Sequence, residues 1–404
     1  MAFATRFTAV CLQLCLLAGC SMGGFQGSDN PTSPGPEASS NHVSGVASKG
    51  IIRYGTVSLF ALNSNGSLGA VLKKTGTDAF GNYSASVNMT GPTLFQASGA
   101  YTDECTGAEI AIPPGSPLRA AVESIANPMV VAITPLTELA VRKASPLLIA
   151  GSISAANQLI SSIFKVDIIA TQAVPPTAGQ FSDTNVTQAQ KDYTLALAAI
   201  SQMAHDYYGG SVSDTLAAMN SDLARSAALD ETGNQFRNAL ASFLQSDQNQ
   251  TGIRDIHLTN LVNSGGSTLA LRLAAGGTLP AGATISGITL TLTLPPGTTI
   301  RVVDFKKDSS VSGYRTDPNC VKASGNFQGN YQEGNFTPAS DTHPASLTVS
   351  VAMAANTSLG EFLTVVCDLP AGVSYGAADF SVSDVKVVGG GDAVQIPGVT
   401  VGLL

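Results

Sequence analysis

The chain has 404 residues, only 12% of them charged, and 20 Lys and Arg against 28 Asp and Glu give a formal net charge of -8. That balance argues against nucleic acid as a partner, because phosphate binding draws on clustered Lys and Arg. Trp is absent and Gly is abundant at 41 residues, a profile of β-rich extracellular domains rather than of a cytosolic enzyme.

The first element is the apolar run from Phe7 to Gly19, shorter than the roughly 20 residues a membrane-spanning helix needs. With Arg6 before it and the small residues Ala18 and Gly19 at its end, it has the parts of an export signal. Leu17-Ala18-Gly19-Cys20 resembles the lipobox of bacterial lipoproteins. The resemblance implies cleavage of residues 1–19, a diacylglyceryl group on the Cys20 thiol and acylation of the new amine. Two or more acyl chains anchor a protein firmly, so the membrane is the expected partner through Cys20. Ser21 stands where an Asp would favour retention at the inner membrane, so the same resemblance points to the outer membrane. Residues 20–44 are rich in Pro, Gly and Ser and read as a disordered tether, with a span on the order of 25–30 Å.

Residues 45–116 read as β structure. Val57, Leu59 and Ala61 alternate with Ser58 and Phe60, and Asn65-Gly66 and Gly81-Asn82 supply turns. The "G.V" start and the "TDAFGNY" hairpin are similar to those of the carboxypeptidase-regulatory-like, Ig-like β-sandwiches. From 117 to 250 the apolar period becomes helical. Thr134-Pro135 is a cap with a first-turn proline, and Ile153, Ala156, Ile160, Ile163 and Phe164 step at threes and fours. Tyr193, Leu197, Ile200, Ala204 and Tyr207 predict one face of a longer helix stopped by Gly209-Gly210. Two more helices are expected, at about 213–226 with Leu216, Met219 and Leu223, and at about 232–245 with Phe236, Leu240 and Phe243. These helices predict a bundle with its own core. The stretch "NPMVVAITPLTELAV" resembles a segment of multidomain bacterial lipoproteins.

From 260 to 404 short alternating runs return: "TLALRLAA", "TISGITLTLTL", "TTIRVVDF", "SLTVSVAM", "EFLTVVCDL", "ADFSVSDVKVV" and "VQIPGVTVGLL". They predict a second β-sandwich. Its layout resembles a cohesin-like module, which belongs to a superfamily that binds carbohydrate and protein; residues 306–343 depart from that pattern as an insert. The fold class expected is therefore multidomain and mainly β, with two β-sandwich domains separated by an all-α helical bundle.

Cys20 apart, the cysteines left after cleavage are Cys105, Cys320 and Cys367. Cys320 and Cys367 fall in one β region of an exported chain and are expected to form a disulfide, worth about 4 kcal/mol by loop closure. No motif for haem, zinc, phosphate or a serine nucleophile occurs in the sequence, so no cofactor, metal or catalytic residue is expected. Asp247, Asn249, Thr251, Gly252 and Asp255 follow calcium-loop spacing, but Leu258 stands where the bidentate acid belongs. His205 lies on a predicted helix, His42 in the tether, and His257 and His343 in connections. With no Trp, the candidate ligand contacts are Tyr314, Phe327, Tyr331 and Phe336, spread through the Gly- and Asn-rich insert. The leading reading is a non-enzymatic surface lipoprotein that binds a carbohydrate or an envelope protein. Its alternatives are an accessory of an envelope complex that docks through the bundle, and a glycan-active enzyme drawing on Asp304, Asp308, Asp317 and Glu333.

Overall fold

The structure is a computed structural model that describes residues 40–226, 228–305, 313–390 and 394–404. The expected export signal, Cys20 and the tether as far as residue 39 lie outside the described residues, as does Asp308. Strand content is 36% and helical content 27%, so the protein is mainly β.

The tether was expected to reach residue 44, but strand β1 (Asn41–Val46) begins earlier and includes His42. Val43 in it is fully buried, and that burial holds the segment in a sheet. Seven strands follow: β2 (Ile52–Leu62), β3 (Leu68–Gly76), β4 (Asn82–Val87), β5 (Thr93–Thr102), β6 (Glu109–Ala111), β7 (Leu118–Val122) and β8 (Met129–Val130). They form one sheet in the order β4-β1-β8 and another in the order β3-β2-β5-β6, with β7 also on β5. The β2–β3 hairpin turns at Gly66 with φ 77°, a left-handed conformation that glycine adopts without steric cost. β7 and β8 lie beyond the boundary expected at residue 117, and the change from strand to helix falls at Thr134 instead. The reason is local: Thr134 forms a capping box with Thr137, and Pro135 opens the helix.

The helices are α1 (Pro135–Ala144), α2 (Ala150–Phe164), α3 (Ala178–Ser182), α4 (Gln188–Tyr207), α5 (Val212–Ser226) and α6 (Glu231–Gln245). The apolar positions expected at threes and fours on α2, α5 and α6 are buried. On α4, Tyr193, Leu197, Ile200 and Ala204 are buried as expected, whereas Tyr207 is exposed. From Lys191 to Ala204 α4 is dry on every side, Leu195, Ala196, Ala198 and Ala199 included, so it is the central helix rather than a one-faced one. The helices do not keep a core to themselves. Leu62, Leu94 and Ala121, from β2, β5 and β7, join the helical cluster, while their strand neighbours Val57, Leu59, Phe95 and Ala120 face the core between the first two sheets. Strand alternation thus gives that sheet two buried faces, one against its partner sheet and one against the helices.

The last part of the chain carries β9 (Thr268–Gly277), β10 (Ile285–Thr293), β11 (Tyr314–Arg315), β12 (Val321–Ala323), β13 (Tyr331–Thr337), β14 (Ser346–Thr357), β15 (Gly360–Asp368), β16 (Ser381–Gly389), β17 (Val394–Gln395) and β18 (Val399–Leu403). One sheet runs β11-β13-β14-β10-β16-β17 and the other β12-β15-β9-β18. Both contribute to one core, with Leu290 and Val349 from the first and Leu273 and Val365 from the second. The run "TTIRVVDF" does not form a strand and makes only isolated bridges, Thr299 to Asp368 and Val302 to Thr316. Its backbone is spent instead on holding the neighbouring helical segment, since Val302 N donates to Asn260 Oδ1 at 3.0 Å.

Buried charges join these layers. Lys49, 1% exposed, sits between β1 and β2 and pairs with Asp103 at 3.1 Å and Glu104 at 2.9 Å, beyond the end of β5. Lys49 Nζ also donates to Ser201 Oγ of α4, and Ser201 Oγ donates to Glu104 Oε2 at 2.5 Å. Burial alone would lower Lys49, but the two carboxylates outweigh it and hold the ammonium above its ordinary value. On α1, buried Glu138 receives Arg119 of β7 at 2.8 Å and Arg142 at 2.8 Å. Replacing Lys49 by Met leaves two dry carboxylates without their cation, and the expected loss of unfolding free energy in urea titrations is about 3–5 kcal/mol. A loss below about 1 kcal/mol, the value of an exposed pair, would show that the cluster is hydrated and not a pin.

Candidate functional site

A cavity of about 840 Å³ opens where the helical segments meet the last two sheets. One wall comes from α6 and the two 3-10 turns after it, Ile256–Leu258 and Asn260–Asn263. The other comes from the turn after β10, the connection between β13 and β14, and the two residues after Leu369. Side-chain amides clamp the walls together. Asn263 Nδ2 reaches Gly297 O at 3.0 Å, Thr299 Oγ1 at 2.9 Å and Asp368 O at 2.9 Å. Asn260 Nδ2 donates to Asp192 Oδ2 of α4 at 2.9 Å and to Val302 O at 3.0 Å. Gly297 turns at φ 75°, and a Cβ there would stand 2.7 Å from the Pro370 ring, so the rim closes tightly only with glycine.

The chemistry of the groove centres on Arg237 of α6. Its Nη1 donates to Ser264 O at 2.7 Å and its Nη2 to Asn234 Oδ1 at 2.5 Å. Among the described residues no carboxylate lies within ion-pair distance of it, and burial holds its guanidinium below the ordinary arginine value. A guanidinium carries five N–H donors in a fixed fork, so three remain beyond these two bonds. His257 and His343 flank the groove, and Asp341 is the acid among its lining residues. Thr298 Oγ1, on a residue 1% exposed, has no hydrogen-bond partner. A smaller cavity of about 150 Å³ between the first sheets and the helices is bordered by Lys49, Glu138 and Arg142. All three charges there are already paired.

The expected ligand contacts fare differently from one another. Residues 314–343 are not a projecting loop: they supply β11, β12 and β13 to the two sheets, and 306–312 lie outside the described residues. Phe327 is fully buried against Phe362, with ring centroids 5.6 Å apart, and is a core residue. Phe336 is 3% exposed and forms part of the buried floor of the groove. Tyr314 packs edge-on to Phe305 at 5.3 Å. Tyr331 alone of the four is well exposed, at 64%, and donates to Glu333 at 3.1 Å. The aromatics therefore do not converge, because alternation along β13 sends Phe336 inward and Tyr331 outward.

The expected Cys320–Cys367 disulfide is absent: both are free thiols, as is Cys105. The two are neighbours across adjacent strands, with Val366 N donating to Cys320 O at 2.7 Å. Burial pushes the Cys320 thiol up to about 11 and Cys367 higher still, so each behaves as a small apolar side chain. In the calcium-like loop, Asn249 is 3% exposed and its amide is spent on Leu244 O at 2.9 Å and Ile253 O at 2.7 Å. Its oxygen accepts from Thr251, so the loop caps itself rather than gathering ligands. His205 is exposed at the end of α4 beside Asp206. Arg237 was missed, although a signal stood in the sequence: residues 233, 234, 240 and 241 are Gly, Asn, Leu and Ala, so no acid lies at helical spacing to neutralise it.

Comparison with protein-family models, curated proteins and solved structures finds no match to the chain. Among the described residues no helix is long and apolar enough to cross a membrane.

Asp192 makes the clamp behind the groove sensitive to pH. It is 1% exposed, and desolvation, opposed by hydrogen bonds from Gln188 and Asn260, raises its carboxyl from 3.8 to about 7. An acid with a raised folded pKa favours the folded state below its unfolded value, and that contribution is lost as pH climbs. Stability is thus expected to fall between about pH 4 and pH 7, by on the order of 4 kcal/mol. Asp192→Asn, with Gln188 turning its amide to accept from the new NH2, should flatten that part of a stability-versus-pH curve. An unchanged slope in the variant would remove Asp192 from the account.

Proposed function

We propose that this chain is an exported, non-enzymatic lipoprotein, held in the outer membrane by an acylated Cys20, which binds a carbohydrate or an envelope protein through its last two sheets. In this reading residues 45–116 open a carboxypeptidase-regulatory-like, Ig-like sandwich, residues 260–404 form a cohesin-like sandwich, and the helices lie between. The observation that carries binding is the groove of about 840 Å³ with a guanidinium that no carboxylate of the described residues neutralises. Ligand sites are concave, within 300–1,000 Å³, and hold a few convergent polar groups. One observation weighs against docking through the helices. The helices spend their apolar faces on one another and on the β2–β5 sheet, which leaves little for docking a partner.

Two measurements test the proposal. Cys20→Ser should leave an uncleaved or soluble chain, and recovery of that variant in outer membranes after a high-salt wash would overturn the anchor. A screen of the purified full chain against glycans and envelope extracts should find a ligand whose binding is abolished by Ser340→Trp, a bulky group on the exposed groove rim. Binding that survives that substitution would place the site elsewhere.

A further inference from the structure

We propose that the groove takes an acidic saccharide, a sugar chain bearing a carboxylate, with the carboxylate seated on Arg237. The inference rests on the reading that this groove binds a ligand, and it names the chemistry. Arg237 is the anchor because of what it lacks. Its guanidinium is half-buried, fixed by Ser264 O and Asn234, and faces the cavity with three donors to spare and no acid in ion-pair reach among the described residues. A carboxylate meets that fork with two parallel charge-assisted hydrogen bonds, and it relieves the cost of burying an unpaired cation.

The rest of the lining decides between a sugar and an acidic peptide. Pro295, Pro296, Pro338, Pro344 and Pro370 all border the groove, and proline has no N–H to donate. A peptide docking by strand addition needs a row of backbone donors and acceptors, and these segments cannot offer it. Side chains supply the polar contacts instead: Ser340, Asp341, Thr342 and His343 on one rim and His257 on the other. Each can donate to or accept from a hydroxyl, and the proline rings give apolar faces for the C–H face of a sugar ring. The cavity volume suits a ligand of two to four sugar units by the usual size of such sites, roughly 300–1,000 Å³.

Calorimetry on the detergent-solubilised full chain, with three probes, tests this: a galacturonic acid trimer, the neutral galactose trimer, and triglutamate peptide. The acidic trimer should bind at least about tenfold more tightly than the neutral one. Arg237→Gln should erase that preference, and Arg237→Lys should keep only part of it, because charge remains but the fork is gone. Since Arg237 also holds Ser264, salt dependence of the unmutated chain gives a readout without a variant: added NaCl should weaken the acidic trimer and leave the neutral one unchanged. Equal binding of both trimers, blocked by Ser340→Trp, would overturn the carboxylate assignment and leave the groove as a binding site. Tighter binding of triglutamate than of the acidic trimer would overturn the saccharide. Absence of any groove-dependent binding would overturn this inference and the reading beneath it together.

Discussion

The structure depends on Asp368 being dry. It is 2% exposed at the end of β15, and a carboxylate so placed is tolerated only with cations beside it. Lys165 Nζ stands 2.9 Å from Oδ1 and Arg301 Nε 3.4 Å from Oδ2. Lys165 is the left-handed C-cap of α2, at φ 56°, so the way α2 ends aims the ammonium at the last two sheets. Arg301 comes from the run that failed to become a strand. Helix, loop and sheet are thus fixed by one carboxylate, and separating them would strand it without a cation. Lys49 does the same at the other side of the helices, between the first sheets and α4. In a chain with so few charges, several of them are used to set the relative positions of layers, where hydrophobic contact alone would permit sliding.

That constraint also shapes the groove. Thr299 exchanges backbone hydrogen bonds with Asp368 and borders the cavity, and Pro370 follows two residues later. The walls are therefore extensions of the buried ion pair, clamped again by Asn263 across three acceptors. Walls held in this way lose little freedom when a ligand enters, and preorganisation of that kind contributes affinity that contact area alone does not.

How much of this was legible in the sequence follows from how local each feature is. Helices such as α1 and α2 stand out because their signals lie within fifteen residues, cap and proline for α1 and three-four apolar spacing for α2. In the last two sheets β9, β10, β14, β15, β16 and β18 were visible by alternation, as were β2 and β4. What failed was tertiary. β7 and β8 are short and precede the helices, and only pairing with β5 and β1 makes them strands. Residues 314–337 look like a Gly- and Asn-rich loop but are recruited into the sheets, β11 and β12 at edges and β13 between β11 and β14, with Phe327 and Phe336 buried among them. The groove was invisible for the same reason: it draws on positions near 237, 257, 297, 341 and 370, and no spacing rule connects them. Arg237 left a trace only as an arginine without an acid one turn away.

The acidity of the whole chain and the cationic anchor in its groove pull in opposite directions, and distance decides between them. A net charge of -8 repels an acidic ligand at long range and slows its approach. At physiological salt that field fades over about 8 Å, so inside the groove the charges that line it govern, Arg237 and Asp341. The half-buried setting strengthens the guanidinium's pull by lowering the local dielectric. Under the proposed reading of a membrane-tethered binder that faces a polymer, slow encounter matters less than slow release. An unpaired guanidinium between rigid proline walls favours the second.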